Sequence, residues 1–275
     1  SEIVKAIFKF YIDSSIHVSL AVCAMVLTTS FVIPTAISAE LLGFVFFSTI
    51  TGYNFVKYAG IAGLHHRSLT KNLRFIQLFS LLNFIGLLVL SFFQPIEVLL
   101  ISAFLGFFTL LYAIPFLPRG KNLRSLKSIK IFIIAFVWAG TAVWLPTQNV
   151  DFIFSVEARL RFLQIFVFVL ALILPFEIRD LTYDSKELRT LPQLIGVEKT
   201  KALGYVLLML FFLLEFTITS EVKNLIPTFM ITLLTGMLIY FSSKKQSDYY
   251  ASFWVESLPI IWWGLLCLTK VLFVF

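Results

Sequence analysis

Charge is scarce in this chain. Asp, Glu, Lys and Arg make up 13% of its 275 residues, about half the roughly 25% found in an ordinary soluble domain. Cysteine is nearly absent: Cys23 and Cys267 both fall inside apolar runs, which argues against a disulfide framework and leaves them as packing residues. Histidine occurs three times, at His17, His65 and His66. The adjacent pair cannot share a helix face and has no third ligand nearby, so a zinc site is not expected. No acidic residue at all occurs between Glu40 and Glu97. Repeats of fixed period and low-complexity linkers are missing too, which predicts a single domain over 1–275.

What is present is apolar. Hydrophobic residues reach 59%, Phe alone accounts for 32 positions, and the mean hydropathy is +0.95. A shell so poor in charge requires lipid as its solvent. Roughly 20 apolar residues in a helix cross a bilayer core of about 30 Å. Runs of that order occur at 12–33, 39–63, 75–93, 96–117, 128–147, 156–178, 202–220, 224–242 and 252–273. Lipid offers no hydrogen bonds to backbone, so these nine runs are predicted to be transmembrane helices in an all-α polytopic protein. They are too long for barrel strands and lack a two-residue alternation.

Most of the 22 Lys and Arg fall in segments on the same side as the N-terminus: Lys5 and Lys9, Arg67, Lys71 and Arg74, the cluster from Arg119 to Lys130, the stretch from Arg179 to Lys201, and Lys244 with Lys245. Arg159, Arg161, Lys223 and Lys270 are left to the other side, and Lys57 inside a span. The positive-inside rule then predicts an N-in, C-out topology. The first segment runs straight into a span without a small-residue cleavage site, so no cleavable leader is expected. The net charge of +7 reads as topology plus room for an anionic ligand, and nucleic acid is not an expected partner.

The long charged loops gather on the N-terminal side, after the second, fourth and sixth spans. The last of them, EIRDLTYDSKELRTLP at 177–192, is the most polar stretch in the chain. Asp180 and Asp184 lie four apart and share a face if the sixth helix continues past Arg179. Two such carboxylates repel each other, and Mg²⁺, which takes one or two carboxylates plus phosphate oxygens, relieves the conflict. Lys186 and Arg189 would hold further phosphate charge. The plainer reading of the pair is a solvated helix end.

The wider stretch RDLTYDSKELRTLPQLIG resembles the second aspartate-rich motif of the UbiA-type intramembrane prenyltransferase family. That motif has Asp-x-x-x-Asp, a Lys two residues on, an Arg/Lys-Thr-Leu-Pro run and a following Gly. Asp180, Asp184, Lys186, Arg189, Thr190, Leu191, Pro192 and Gly196 fall into it with a short deletion. The resemblance implies nine helices around a central cavity, a prenyl diphosphate bound through Mg²⁺ held by two aspartate motifs, and capture of the allylic cation by an aromatic or lipid acceptor. It also implies diphosphate contacts from Arg119, Lys121 and Arg124, a loop that serves equally to enforce topology or to touch anionic lipid heads. The expected location is a bacterial inner membrane with the site facing the cytoplasm.

The first motif of that family departs here. In GYNFVKYAGIAGLHH, Asn54 fits, but the expected aspartates fall on Phe55 and Tyr58. Lys57 stands between them, and a charge within a span marks a functional position by default. Three readings stand for it: it replaces a metal ion at the diphosphate, it pairs with Asp180 or Asp184 and seals an inactive site, or it snorkels to the membrane edge. Asp13 and His17 are placed to pair, and Glu177, Glu215 and Glu256 are further acids that could face the cavity. The expected function is a prenyltransferase with an altered first metal motif. The alternative is a homologue without catalysis that binds isoprenoid or lipid, or serves a membrane complex. A transporter ranks last for want of repeated halves.

Overall fold

A computed structural model describes residues 2–58, 73–114, 128–184 and 186–273. Among these residues the regular structure is entirely helical. The helices are α1 (Glu2–Asp13), α2 (Ile16–Thr29), α3 (Ala39–Tyr58), α4 (Leu73–Ser91), α5 (Ile96–Ala113), α6 (Ile129–Thr147), α7 (Val156–Asp180), α8 (Leu191–Ile195), α9 (Val197–Ile218), α10 (Val222–Phe241) and α11 (Leu258–Leu272). A π-helical turn, Tyr250–Val255, leads into α11. Eight units are long and apolar enough to cross a membrane: α3 to α7, α9, α10 and Tyr250–Leu272.

The ninth predicted span is where structure and expectation differ. The run 12–33 is not one helix: α1 and α2 meet at a 54° bend. Ser15 takes a left-handed conformation there, with φ of 70°, so the helical ladder stops and restarts. The 14 residues of α2 cover only about 21 Å at 1.5 Å per residue, short of a full crossing without α1. That first helix buries only Ile12, carries Lys5 and Lys9, and exposes Ile3, Val4 and Ile7. This is the profile of a helix lying at an interface.

The hydrophobic core centres on α7, where 72% of the apolar window is buried, against 11% for α4, which therefore faces outward. α7 packs between α6 and α9, and α5 lies against α6. α9, α10 and α11 follow in order until α11 returns to α2, closing the bundle. Phe168 of α7 stacks on Phe211 of α9 at 4.5 Å between centroids, and Trp262 of α11 meets both edgewise. Gly204 lets α9 approach closely: a Cβ there would stand 2.9 Å from Ile239 Cδ1 and 3.1 Å from Leu174 Cδ1.

Arg161 is a buried charge near the start of α7. Counted from the sequence among the far-side charges, it is 1% exposed. Its Nη1 donates to Gln164 Oε1 at 2.6 Å, its Nη2 to Thr28 Oγ1 at 2.8 Å, and its guanidinium lies 4.8 Å from the Trp262 ring centroid. Gln164 in turn donates to the Glu215 carboxylate. A buried charge is tolerated when partners of this kind surround it, and Gln164 and Glu215 supply them one turn away and on the neighbouring helix.

Gly204→Val should lower the melting temperature of the purified protein in detergent, because overpacking of a tight contact costs about 1–3 kcal/mol. An unchanged melting temperature would show that α7, α9 and α10 are not held this closely.

Candidate functional site

The break between α1 and α2 leaves the Asp13 and Ser14 carbonyls without helical partners and the Ile12 carbonyl with a turn bond from the Ser15 N–H at 3.2 Å, and the end of α3 supplies side-chain donors to all three. Lys57 Nζ reaches the Ile12 carbonyl at 3.5 Å, Tyr58 Oη the Asp13 carbonyl at 2.7 Å, and Asn54 Nδ2 the Ser14 carbonyl at 3.0 Å. Ser15 Oγ completes the knot, donating to Asn54 Oδ1 at 2.7 Å and accepting from Lys57 Nζ at 2.9 Å. Asn54 Nδ2 also donates to Ser80 Oγ at 2.8 Å. The residues standing where the family's first motif would be are thus a C-terminal cap for α1, and a cation beside a helix C-terminus is favourable. Asn54 is buried, whereas Lys57 keeps accessible surface.

At the same end of the bundle α7 stops at Asp180. Asp184 therefore lies beyond the helix, although its N–H still donates to the Asp180 carbonyl at 2.8 Å, carrying the chain through one more turn. Arg179 clasps the neighbouring Asp180, Nε to Oδ1 at 2.7 Å and Nη2 to Oδ2 at 3.2 Å. Lys130, at the start of α6, bridges Glu177 at 2.7 Å and Asp184 at 3.6 Å. The rest of the motif is a local scaffold. Gln193 Oε1 accepts from the Thr190 N–H at 2.9 Å and Gln193 Nε2 donates to the Asp184 carbonyl at 3.4 Å. Gly196, with φ of 84°, separates α8 from α9 in a conformation that favours glycine. Lys186 and Arg189 are exposed beside this turn, and the Arg189 carbonyl accepts from Ser128 Oγ at 3.0 Å.

Glu256 joins the two halves. It follows the π-helical turn before α11, is only half-buried, and lies within electrostatic reach of both Lys57 and Arg179. Asp13 is likewise within reach of Lys57. The proposed Lys57 contact with Asp180 or Asp184 is not formed: Lys57 binds the α1–α2 break instead. Nor does His17 pair with Asp13. It meets Tyr11 Oη at 2.6 Å, the Phe253 carbonyl at 3.0 Å and Ser257 Oγ at 3.0 Å. Sequence reading missed the roles of Lys130, Tyr58 and Ser15. A charge at the first residues of a span was the one signal for Lys130. His65, His66, Arg67, Arg119, Lys121 and Arg124 lie outside the described residues.

Among the described residues, no three carboxylate, His or Cys side chains gather into a metal cage. Mg²⁺ does not require one, since substrate phosphates and water complete its shell. Glu177 lies within electrostatic reach of Asp180 and Asp184, its Oε2 is buried without a hydrogen-bond partner, and the Lys130 ammonium occupies the position a cation would take between Glu177 and Asp184. This donor set fits a hard divalent cation at the end of α7. The tip of α3 offers no carboxylate for a second one.

These features define a polytopic helical membrane protein with a charged site at one end of the bundle. The sequence matches no family model and no curated protein. Among solved structures the chain shares its fold with a digeranylgeranylglyceryl phosphate synthase. The superposition has a TM-score of 0.53 at 21% identity and covers 96% of this chain and 97% of that one.

Replacing Lys130 by Met should strand the Glu177 charge, whose side chain is 4% exposed, and lower stability by about 3–5 kcal/mol. The double change Lys130→Met, Glu177→Leu should recover most of that loss in thermal unfolding. Equal losses in the single and double variants would show that the pair is not the reason.

Proposed function

We propose that the chain is an intramembrane prenyltransferase, moving an isoprenoid group from a prenyl diphosphate to an aromatic or lipid acceptor with an altered first metal motif. The observation that carries the proposal is the convergence of Lys57, Glu256, Arg179 and the α7 carboxylates at one end of a fold shared with a synthase. Asp180 and Asp184 would hold Mg²⁺, backed by Glu177; when bound, the ion neutralises the diphosphate as it leaves. Lys57 is the fixed cation at the position where the family places a second metal. Ser15 Oγ and the Ile12 carbonyl hold its ammonium at the α1–α2 break, so its charge is pre-positioned and needs little reorganisation during reaction.

Lys186 and Arg189, with Arg119, Lys121 and Arg124 from the loop before α6, contribute further phosphate contacts. The apolar chain would lie against a shallow, open groove of about 420 Å³ between α1 and α4, lined by Ala6, Phe10, Phe75, Leu78, Phe79 and Leu82. Ionisation breaks the carbon–oxygen bond to diphosphate, and the acceptor takes the carbon. With the N-terminus inside, the site opens toward the cytoplasm of a bacterial inner membrane.

One feature favours the reading without catalysis. Asn54 and Lys57 are engaged in capping α1, and Asp180 and Asp184 already contact Arg179 and Lys130, which is how a retired site would be sealed.

The two readings part on pyrophosphate release. Purified protein given geranylgeranyl diphosphate and Mg²⁺ should release pyrophosphate, the Asp180→Asn, Asp184→Asn protein should release none, and Lys57→Met should be slower by about a hundredfold, the usual cost of removing one preorganised charge donor. Wild-type release no faster than that of the double variant, with prenyl diphosphates of several lengths, would favour the sealed site.

A further inference from the structure

The end of the bundle opposite Asp180 holds a second polar site. Where α2 and α11 finish and α10 begins, a half-open cavity of about 250 Å³ is lined by Ser30, Phe31, Glu221, Lys223, Asn224 and Lys270. The three helix ends are tied together there. Asn224 Nδ2 donates to the Phe31 carbonyl at 3.3 Å, and Thr269 Oγ1 donates to the Lys223 carbonyl at 2.7 Å.

The lining is short of partners in a particular pattern. Asn224 is 2% exposed. Its Nδ2 is engaged by Phe31, while its Oδ1 accepts no hydrogen bond among the described residues. A buried amide oxygen at a cavity wall calls for a donor from whatever fills the cavity. Lys270 forms no ion pair among the described residues and rests 5.7 Å from the Phe31 ring centroid. Lys223 pairs with Glu221 at 3.0 Å, and both side chains stay partly exposed, so the ammonium has further donors and the carboxylate a second oxygen to offer. The cavity thus presents two cations for one anionic group, and two acceptors, Glu221 and Asn224 Oδ1, for one donor.

Depth in the membrane points to the source of the ligand. α10 and the Tyr250–Leu272 unit are apolar and of membrane length, so their ends stand at the level of lipid head groups. On those same ends Val222, Ile226, Leu268 and Val271 are exposed, which gives acyl chains an apolar surface beside the cavity. Basic pockets between spans are a known setting for lipid head groups. A bare phosphate would satisfy the lysines and leave the two acceptors facing it. A phosphodiester that ends in an ammonium or a hydroxyl satisfies both halves of the lining.

We propose that this cavity is a phospholipid site: the head-group phosphate lies on Lys223 and Lys270, and its terminal ammonium or hydroxyl donates to Glu221 and Asn224 Oδ1. The bound lipid would brace α2, α10 and α11 at the end of the bundle away from the α7 carboxylates, whatever reaction takes place there.

Native mass spectrometry of the full chain, released from micelles doped with one dioleoyl lipid at a time, tests this. Phosphatidylethanolamine and phosphatidylglycerol should each bind about tenfold more tightly than phosphatidylcholine, which keeps the phosphate and tails but has no donor; one charge-assisted hydrogen bond accounts for that ratio. Glu221→Gln should lower the ethanolamine-to-choline ratio several-fold, and Lys270→Met should weaken all three lipids by a similar factor of about ten. Equal binding of the three lipids, or a preference and an affinity that survive both substitutions, overturns the site. Phosphatidylglycerol alone binding above phosphatidylcholine reduces the effect to net charge and overturns the donor contact. Glycerophosphoethanolamine, which lacks the chains, binding as tightly as the lipid overturns the lipid as its source.

Discussion

The polar groups around the tip of α3 are organised by a helix that stops inside an apolar bundle. Where α1 gives way to α2, the Asp13 and Ser14 carbonyls lose their helical donors and the Ile12 carbonyl keeps only a turn bond from the Ser15 N–H at 3.2 Å, in surroundings where an unmade bond costs the full desolvation of the group. Lys57, Tyr58 and Asn54 meet them one for one. That obligation determines where the Lys57 ammonium stands, why Ser15 is held in a left-handed conformation, and why the tip of α3 cannot drift relative to α1.

Fixing Lys57 in place has electrostatic consequences across the bundle. A cation at this depth calls for negative charge, and it comes from Asp13 nearby and Glu256 across the interior, the latter also facing Arg179 at the end of α7. Arg179 holds Asp180, while Lys130 holds Glu177 and Asp184. The result is a chain of alternating charges from α1 through α3, α11 and α7 to α6. Such a chain is stable when internally satisfied, and it can accept an anionic group by exchanging partners instead of creating new charge. An opposing network of Arg161, Gln164 and Glu215 pins the other end of α7.

The sequence conveyed the hydrophobic runs well, because span length and apolar content are dictated by bilayer thickness regardless of tertiary detail. It misled at the first run, where hydropathy could not register that Ser14 and Ser15 interrupt the helix. The stretch at 177–196 was legible as residue types, while the bonds by which Gln193 ties Thr190 to the Asp184 carbonyl were not. What could not be read was direction. Arg161 could be assigned a membrane side, but not its partners Thr28 and Gln164, and Glu256 was one acid among several until Lys57 and Arg179 were seen within electrostatic reach of it. Residues that act through partners more than a hundred positions away leave no local pattern.

The account stands on the proposition that Lys57 and the α7 aspartates address one anion. The most direct measurement is equilibrium binding of the non-ionising S-thiolodiphosphate of geranylgeraniol to wild-type protein, to Lys57→Met, to Asp180→Asn with Asp184→Asn, and to the triple variant, all with Mg²⁺ present. A shared site predicts that the first two variants each lose about tenfold or more in affinity, and that the triple variant loses less than the product of the two, because contacts to one ligand are coupled. Affinity unchanged in Lys57→Met, or losses that simply multiply, would contradict it.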